Sequence, residues 1–334
     1  MLDILCIGDS VIDIFLRISE NNPHFGLDKK NNKLMISFGE KINIDKYVLE
    51  TGGNATNTAV GLERLDLNSG ICAEIGKDEF SQKILSKLSK ENVDTSLLLQ
   101  TETEKTSFSV VINYNAERTI FSEHVKRSHE FNFDNLNTKF VYLTSLGAVW
   151  ENAYEKTLKF VKTGNVKLAF NPGTLQLEKR DNLIFDIVEI TDFLFLNKEE
   201  AEELLYGKQL DAHQGQTRES LIKKMLFGLK GLGAKNVIIT DSNNGSYVYD
   251  DKNKFYKLGI LDSEVVEKTG AGDSYTAGFL GATINGCSIE EAMVWGSVNA
   301  ASVVGKVGAE EGLLTKTELL EKIKENNTFS PEVF

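Results

Sequence analysis

Short apolar runs alternate with segments of helical period over most of the chain. The runs at 2–7, 70–75, 140–143, 166–170, 193–196 and 236–240 are four to six residues long and largely apolar on both faces. Strands without a polar face have to be covered on both sides, as in a parallel sheet between two helical layers. Segments of three-to-four-residue period at 55–65, 79–91, 152–163, 198–205 and 217–229 predict the helices between them. The alternation predicts an α/β fold built on a doubly wound, mostly parallel sheet.

After residue 240 the pattern changes. Residues 246–249 and 254–257 flank the polar turn Asp250-Asp251-Lys252-Asn253 and predict a hairpin. Helices are expected next at 273–284, 289–305 and 315–324, the last opened by a capping box of Thr315 and Glu318. Two regions, about 12–50 and 97–125, show period-two patterns without helices, for instance 106–114 and 119–124 around the turn Asn115-Ala116-Glu117. They predict short strands outside the main sheet, gathered into a small β lid within a single domain spanning 1–334, the alternative being a pair of surface hairpins.

Hydrophobic residues at 41% of 334 support a substantial core. The excess of 49 Asp and Glu over 37 Lys and Arg, a net charge of −12, argues against a broad interface with nucleic acid or an anionic membrane. One small phosphate ligand stays compatible with it, because backbone amides supply positive potential locally. The start MLDILCIGDSVIDIF has no basic region and no apolar run nears ~18 residues, so the reading is a buried first strand in a cytoplasmic protein without a membrane span. Cys6, Cys72 and Cys287 are widely spaced without a CxxC pair, which excludes a disulfide framework or zinc site. His24, His124, His129 and His213 lie in polar, loop-like contexts and are expected to be solvated.

The segment from Glu267 to Gly281 carries the clearest chemistry. Gly270 and Gly272 permit tight turning and close approach of a ligand to main-chain amides, immediately before an amphipathic helix. Unpaired N–H groups and the positive helix end converge there, a combination that binds phosphate. Asp273 stands at the same helix start, where it caps the helix or accepts a proton. Ala277, Gly278, Gly281 and Ala282 predict a helix packed tightly against the sheet. The segment is neither a P-loop nor a dinucleotide fingerprint, since GxxxxGK[ST] is absent and the third glycine of GxGxxG is missing.

Gly270-Ala271-Gly272-Asp273 before a small-residue helix resembles the C-terminal signature of ribokinase-like (PfkB-type) carbohydrate kinases. Gly52-Gly53-Asn54-Ala55-Thr56-Asn57-Thr58-Ala59 resembles their N-terminal one. With the first strand, Asn197-Lys198-Glu199-Glu200 and the ending Gly308-Ala309, the resemblance covers nearly the whole chain. It implies an ATP-dependent kinase of a sugar or sugar-like hydroxyl, with Asp273 as general base and the amides of Gly270, Ala271 and Gly272 as anion hole. It further implies Mg²⁺ at Asn197 and Glu200, usually through water, and acceptor contacts from Asp13, Gly53 and Asn57. Thr240, Gly245 and Asn299 match positions at the nucleotide, as Asn197 and Gly272 do near its phosphates. Read without the resemblance, Asn197 is a helix N-cap and Glu199, Glu200, Glu202 and Glu203 form a solvated acidic face. Arg118 reads as a solvated hairpin arginine and Asn299 as an interior polar residue.

The resemblance extends to a monovalent cation only in part, because Glu267-Lys268 stand where relatives commonly have Asp-Thr. Lys268 is expected to add positive charge near the phosphates. Nucleoside kinases share both signatures, so a nucleoside acceptor is an alternative to a free sugar; a catalytically silent sugar or nucleotide sensor is a third reading. Lid edges often build a homodimer in this family, and a homodimer is expected.

Overall fold

Alternation within each buried strand decides which helical layer a side chain supports. On the first strand, β1 (Leu2–Ile7), Ile4 and Cys6 enter one buried cluster while Leu5 and Ile7 enter the other. The computed structural model describes all residues except 32, 115–116, 124 and 208–216. The expected turn at 115–116, His124 and His213 therefore lie outside the described residues.

After β1 come β2 (Val11–Arg17), β3 (Phe25–Asp28), β4 (Lys33–Ile36), β5 (Lys46–Gly52) and α1 (Asn54–Arg64). Next are β6 (Ser69–Cys72), β7 (Glu74–Gly76), α2 (Glu79–Lys90), β8 (Leu99–Thr101), β9 (Phe108–Tyr114) and β10 (Glu117–Ser122). The chain continues through β11 (Thr138–Leu143), α3 (Glu151–Gly164), β12 (Lys167–Phe170), α4 (Thr174–Lys179), α5 (Asn182–Ile190), β13 (Phe193–Asn197) and α6 (Lys198–Tyr206). It then forms α7 (Arg218–Gly231), β14 (Asn236–Thr240), β15 (Ser246–Tyr249), β16 (Phe255–Leu258), α8 (Ala271–Ile284), α9 (Ile289–Val304), α10 (Lys316–Glu325) and β17 (Glu332–Val333).

The main sheet runs β17-β16-β15-β14-β13-β12-β11-β1-β6. Its strands from β14 to β6 are parallel, and the expected hairpin β15–β16 extends it antiparallel. Helices α1, α2, α8, α9 and α10 cover one face, while α3 to α7 cover the other. The strand order reverses at β1, with β6 on one side and β11 on the other. Such a reversal leaves a crevice at the carboxyl ends of the strands.

A second sheet, β10-β9-β2-β5, stands apart from the first. Its register puts Glu50, Asp13, Ser109 and Ser122 in one row across four strands. The apolar run at 70–75 divides in two, because β7 turns away to pair with β8. Two helices escape the apolar pattern: Gly173 and Gln176 close the start of α4, and Asp181 caps α5 by accepting from Leu183 N–H.

The small residues of α8 serve helix–helix contact more than contact with the sheet. A Cβ on Gly61 of α1 would stand 2.7 Å from that of Ala277, and one on Gly278 would stand 2.6 Å from the carbonyl oxygen of Trp295 on α9. Phe279 faces the sheet instead, with its ring 5.3 Å from that of Phe195. A methyl group at 61 has to push α1 and α8 apart, since neither a Cβ nor a helix backbone can yield. Gly61→Ala is therefore expected to cost about 1–3 kcal/mol of stability despite Ala's better helix propensity, measured by urea unfolding.

Candidate active site

The loop before α8 reaches it through Gly270, at φ +77°. A Cβ there would also lie 2.4 Å from that of Ala309, so glycine is required on two counts. In the first turn of α8 Ala271 N–H makes only a long 3.4 Å bond to the Lys268 carbonyl, and Gly272 is exposed to the crevice with nothing within 4 Å of a Cβ position. These amides and the helix dipole make a cradle for an anion.

Asp273 sits at the rim of that cradle. Its Oδ2 accepts a 2.7 Å hydrogen bond from Asn57 Nδ2, contributed by the N-terminal turns of α1. Burial pushes the carboxyl up to about 6, against the opposing effect of the Asn57 bond. The other amide atom of Asn57, Oδ1, is buried without a partner among the described residues. Gly53 precedes α1 at φ +96°, with room for a Cβ denied by the Asp9 carbonyl at 2.3 Å.

Asp13 presses its carboxylate against Gly52, where a Cβ would lie 2.1 Å from Oδ2. Burial first, then the charges of Asp273 and Glu267, lift Asp13 to about 6, while a hydrogen bond from Ser109 works the other way. Asn197 and Glu200 form a reciprocal capping box at the start of α6, each side chain bonding the other's backbone N–H at 2.8 Å. Both also line the crevice with Asp273. Glu200 is lifted to about 7, mainly by burial, with hydrogen bonds to Asn197 and Asn171 opposing and the charge of Asp273 adding to the shift. The acidic face expected on α6 is thus only partly solvated: Glu200 turns inward, and buried Glu202 pairs with Lys198 at 2.9 Å.

The crevice has two lobes, of about 400 and 200 Å³. They share Arg118, Asn197, Thr240, Lys268, Ala271 and Gly272. The larger lobe has apolar walls from Leu261, Val265, Ala300 and Val304, with Gly245 at its edge. Gly245 holds φ +86° and has the Leu258 carbonyl 2.0 Å from any Cβ. The smaller lobe holds Asp273 and Glu200. An apolar slot leading to a cationic, amide-rich neck and then to carboxylates matches a nucleotide with its phosphates directed at Asp273.

Two expectations need correction. Asn299 does not line the crevice: it is fully buried, donates to Ser274 O at 2.9 Å and accepts from Leu314 N at 3.1 Å. It fastens α9 to α8, and its neighbours Ser297, Ala300 and Ala301 face the lobe instead. His129 is not solvated but buried at 2% exposure.

Arg118 is a residue that its hairpin context hid. From β10 it reaches the neck and pairs at 3.5 Å with Glu267, itself buried. Lys268 lines both lobes as expected. No cluster of three or more His, Cys, Asp or Glu among the described residues is arranged to hold a metal. The oxygen donors of Asn197 and Glu200 beside an anion cradle suit a hard, largely hydrated cation such as Mg²⁺. No helix of the described residues is long and apolar enough to cross a membrane.

This fold and site define a phosphotransferase with a hydroxyl group as acceptor. The chain belongs to the pfkB family of carbohydrate kinases, whose model matches residues 1–316. It is 27% identical to a nucleoside kinase of Methanocaldococcus jannaschii, over 98% of each chain. A 5-dehydro-2-deoxygluconokinase of Clostridium beijerinckii is 24% identical, over 97% of this chain and 93% of that one. The crystal structure of the M. jannaschii nucleoside kinase, described as an archaeal member of the ribokinase family, superposes with a TM-score of 0.77 at 26% identity, covering 97% of this chain and 99% of that one.

A carboxyl lifted by burial contributes stability that is complete below its unfolded pKa and lost as pH rises through its folded value, here about 6. Asp273→Asn removes that loss and keeps an acceptor for Asn57. The variant is expected to be more stable than the parent by about 3 kcal/mol at pH 8 and by little near pH 4, read from urea unfolding at the two pH values.

Proposed function

We propose that the chain transfers the γ-phosphoryl group of ATP to a hydroxyl of a sugar-containing acceptor, with Asp273 as general base. The observation that carries this reading is the placement of Asp273 at the rim of the α8 amide cradle, held by Asn57 at 2.7 Å. Adenosine occupies the apolar lobe against Thr240 and Gly245, and the phosphates cross the neck beneath Arg118 and Lys268. The acceptor is held by Asp13, Gly53 and Asn57, whose unpartnered Oδ1 is free to accept from a second hydroxyl.

Asp273 takes the proton from the attacking hydroxyl as its oxygen closes on the γ-phosphorus. The amides of Gly270, Ala271 and Gly272 meet the negative charge on the transferring group, so catalysis rests on positioning and electrostatics. Asn197 and Glu200 would hold Mg²⁺, mostly through water, and the ion would supply charge neutralisation along the phosphates. The second sheet acts as a lid that limits water at the site.

Of the acceptors, a nucleoside is the reading favoured here, because similarity to the M. jannaschii nucleoside kinase spans both chains almost end to end. A free sugar is the second reading, supported by similarity to the C. beijerinckii enzyme. The base works only when ionised, so the carboxyl value of about 6 sets the acid limb. With ATP and a panel of nucleosides and sugars, kcat/KM is expected to fall tenfold per pH unit below about 6. Asp273→Asn is expected to lose about 10²–10⁴ in kcat. Undiminished turnover in that variant would remove the assigned mechanism.

We also propose that the second sheet forms a homodimer interface. Its strands, the β3–β4 hairpin and the loop after that hairpin expose Met35, Ile36, Phe38, Tyr47, Ile120 and Phe121, with Phe38 fully solvent-exposed. Light scattering after size exclusion is expected to report a dimer, and Tyr47→Glu with Phe121→Glu a monomer. A monomeric parent protein would overturn the proposal.

A further inference from the structure

A separate cavity of about 30 Å³ shares no lining residue with the crevice among the described residues. Asp9, Glu74, Ser109, Ser122, Arg127 and His129 line it. Arg127 and His129 are 6% and 2% exposed, yet Arg127 Nη1 and both ring nitrogens of His129 have no hydrogen-bond partner among the described residues. Nη2 of the same guanidinium donates to the Lys105 carbonyl, which fixes the arginine in place. The backbone N–H of His129 donates to Glu74 at 2.9 Å, while its ring Nδ1 stands 3.8 Å from the same carboxylate oxygen, beyond hydrogen-bonding reach. Buried polar groups are seldom left unpaired, and three such atoms on one small cavity, two donors and an acceptor, call for a ligand.

The cavity is joined to the acceptor site by the polar row of the second sheet. Asp13 stands opposite Ser109, which bonds it, and Ser109 stands opposite Ser122, with hydroxyl oxygens 3.1 Å apart. Neighbouring strands are about 4.8 Å apart, so Ser122 is about 10 Å across the sheet from Asp13. A lone pentose held at Asp13 reaches only the near wall of the cavity, at Ser109; a pentose carrying a ring is long enough to reach the far wall. The cavity admits the polar edge of such a ring.

The charges around it select among edges. Asp9, Glu74 and Glu123 face the cavity with Arg127 as the single cation among the described residues there, which disfavours an anionic acceptor. Burial, together with the nearby Arg127 charge, holds the His129 imidazole down to about 4, so it is neutral and offers one donor and one acceptor.

We propose that Arg127 and His129 form the recognition end of the acceptor site and take the carbonyl edge of a nucleobase. The guanidinium donates to the carbonyl oxygen and the imidazole pairs with the adjoining ring nitrogen. The assignment rests on the reading above that the acceptor's reacting hydroxyl lies at Asp273.

Binding of uridine, cytidine, adenosine and ribose to the intact protein, measured by titration calorimetry without ATP, tests it. Arg127→Gln and His129→Asn are the variants; asparagine tolerates the φ of +48° at 129. Uridine and cytidine are expected to bind the parent, and each variant to weaken them by about 10–100-fold, with a smaller effect on adenosine, which has no carbonyl. Arg127→Lys is expected to recover part of the loss. The proposal is overturned if the parent binds neither pyrimidine nucleoside, if the variants bind them unchanged, or if adenosine loses as much. Should Arg127→Gln not fold by its unliganded melting curve, His129→Asn decides alone. Failure of the kinase reading is seen separately, as phosphoryl transfer surviving Asp273→Asn, and leaves these binding comparisons intact.

Discussion

The close approach of α1 to α8 is the constraint on which the site depends. Gly61 meets Ala277 with no room for a methyl group, and one turn earlier on each helix Asn57 meets Asp273. The same spacing of four residues on both helices converts a packing contact into a hydrogen bond between residues 216 positions apart. On its other flank α8 is fixed against α9, where Gly278 and Gly296 let the backbones approach and Asn299 bonds the Ser274 carbonyl. A helix held on two sides presents its first turn rigidly, and a rigid array of N–H groups needs no reorganisation when charge develops in front of it.

That rigidity is combined with unfavourable burial. Asp13, Asp273 and Glu200 are all lifted out of the usual carboxylate range chiefly by desolvation, and Asp13 and Glu200 also feel the charge of Asp273. A fold selected only for stability would replace at least one of them. The positive counterweight is not an adjacent ion pair but backbone amides, Lys268 and Arg118, all aimed at the neck between the lobes. The chain's net charge of −12 therefore says little about this spot, where Arg118 and Lys268 stand among the amides.

The parts of the site set by backbone shape were legible in the sequence. Gly53 and Gly270 each hold a positive φ and each leave no space for a Cβ, so the two glycine signatures reflect requirements that no other residue meets. The buried strands were legible for a similar reason, since apolarity on both faces leaves few alternatives. Arg118 and His129 were not, because nothing local distinguishes a hairpin arginine that spans a crevice from one in water. Their roles depend on how the second sheet is set against the first, which period-two patterns do not encode. Asn299 failed in the opposite direction: its position matched, but a buried amide with both ends bonded is committed to the helix pair. Helices α4 and α5 were missed because they are short and their starts depend on Gly173 and Asp181, single residues without a long periodic run behind them.

The setting of the second sheet is itself determined at the end of β1. Gly8 lies where a Cβ would be 2.5 Å from the Thr144 side chain, and Asp9 N–H bonds the Ser145 carbonyl at 3.0 Å, so the chain leaves the main sheet along a fixed path into β2. Strand β2 carries Asp13, pairs with β9, and through β9 carries β10 with Arg118. On the proposed function, the acceptor contact and the phosphate-facing cation are thus parts of one hydrogen-bonded sheet. On that same reading, a displacement of the sheet withdraws both at once, so Arg118 is presented to the phosphates only together with Asp13 to an acceptor. Coupling of this kind favours transfer to the acceptor hydroxyl over transfer to water without a separate sensing device.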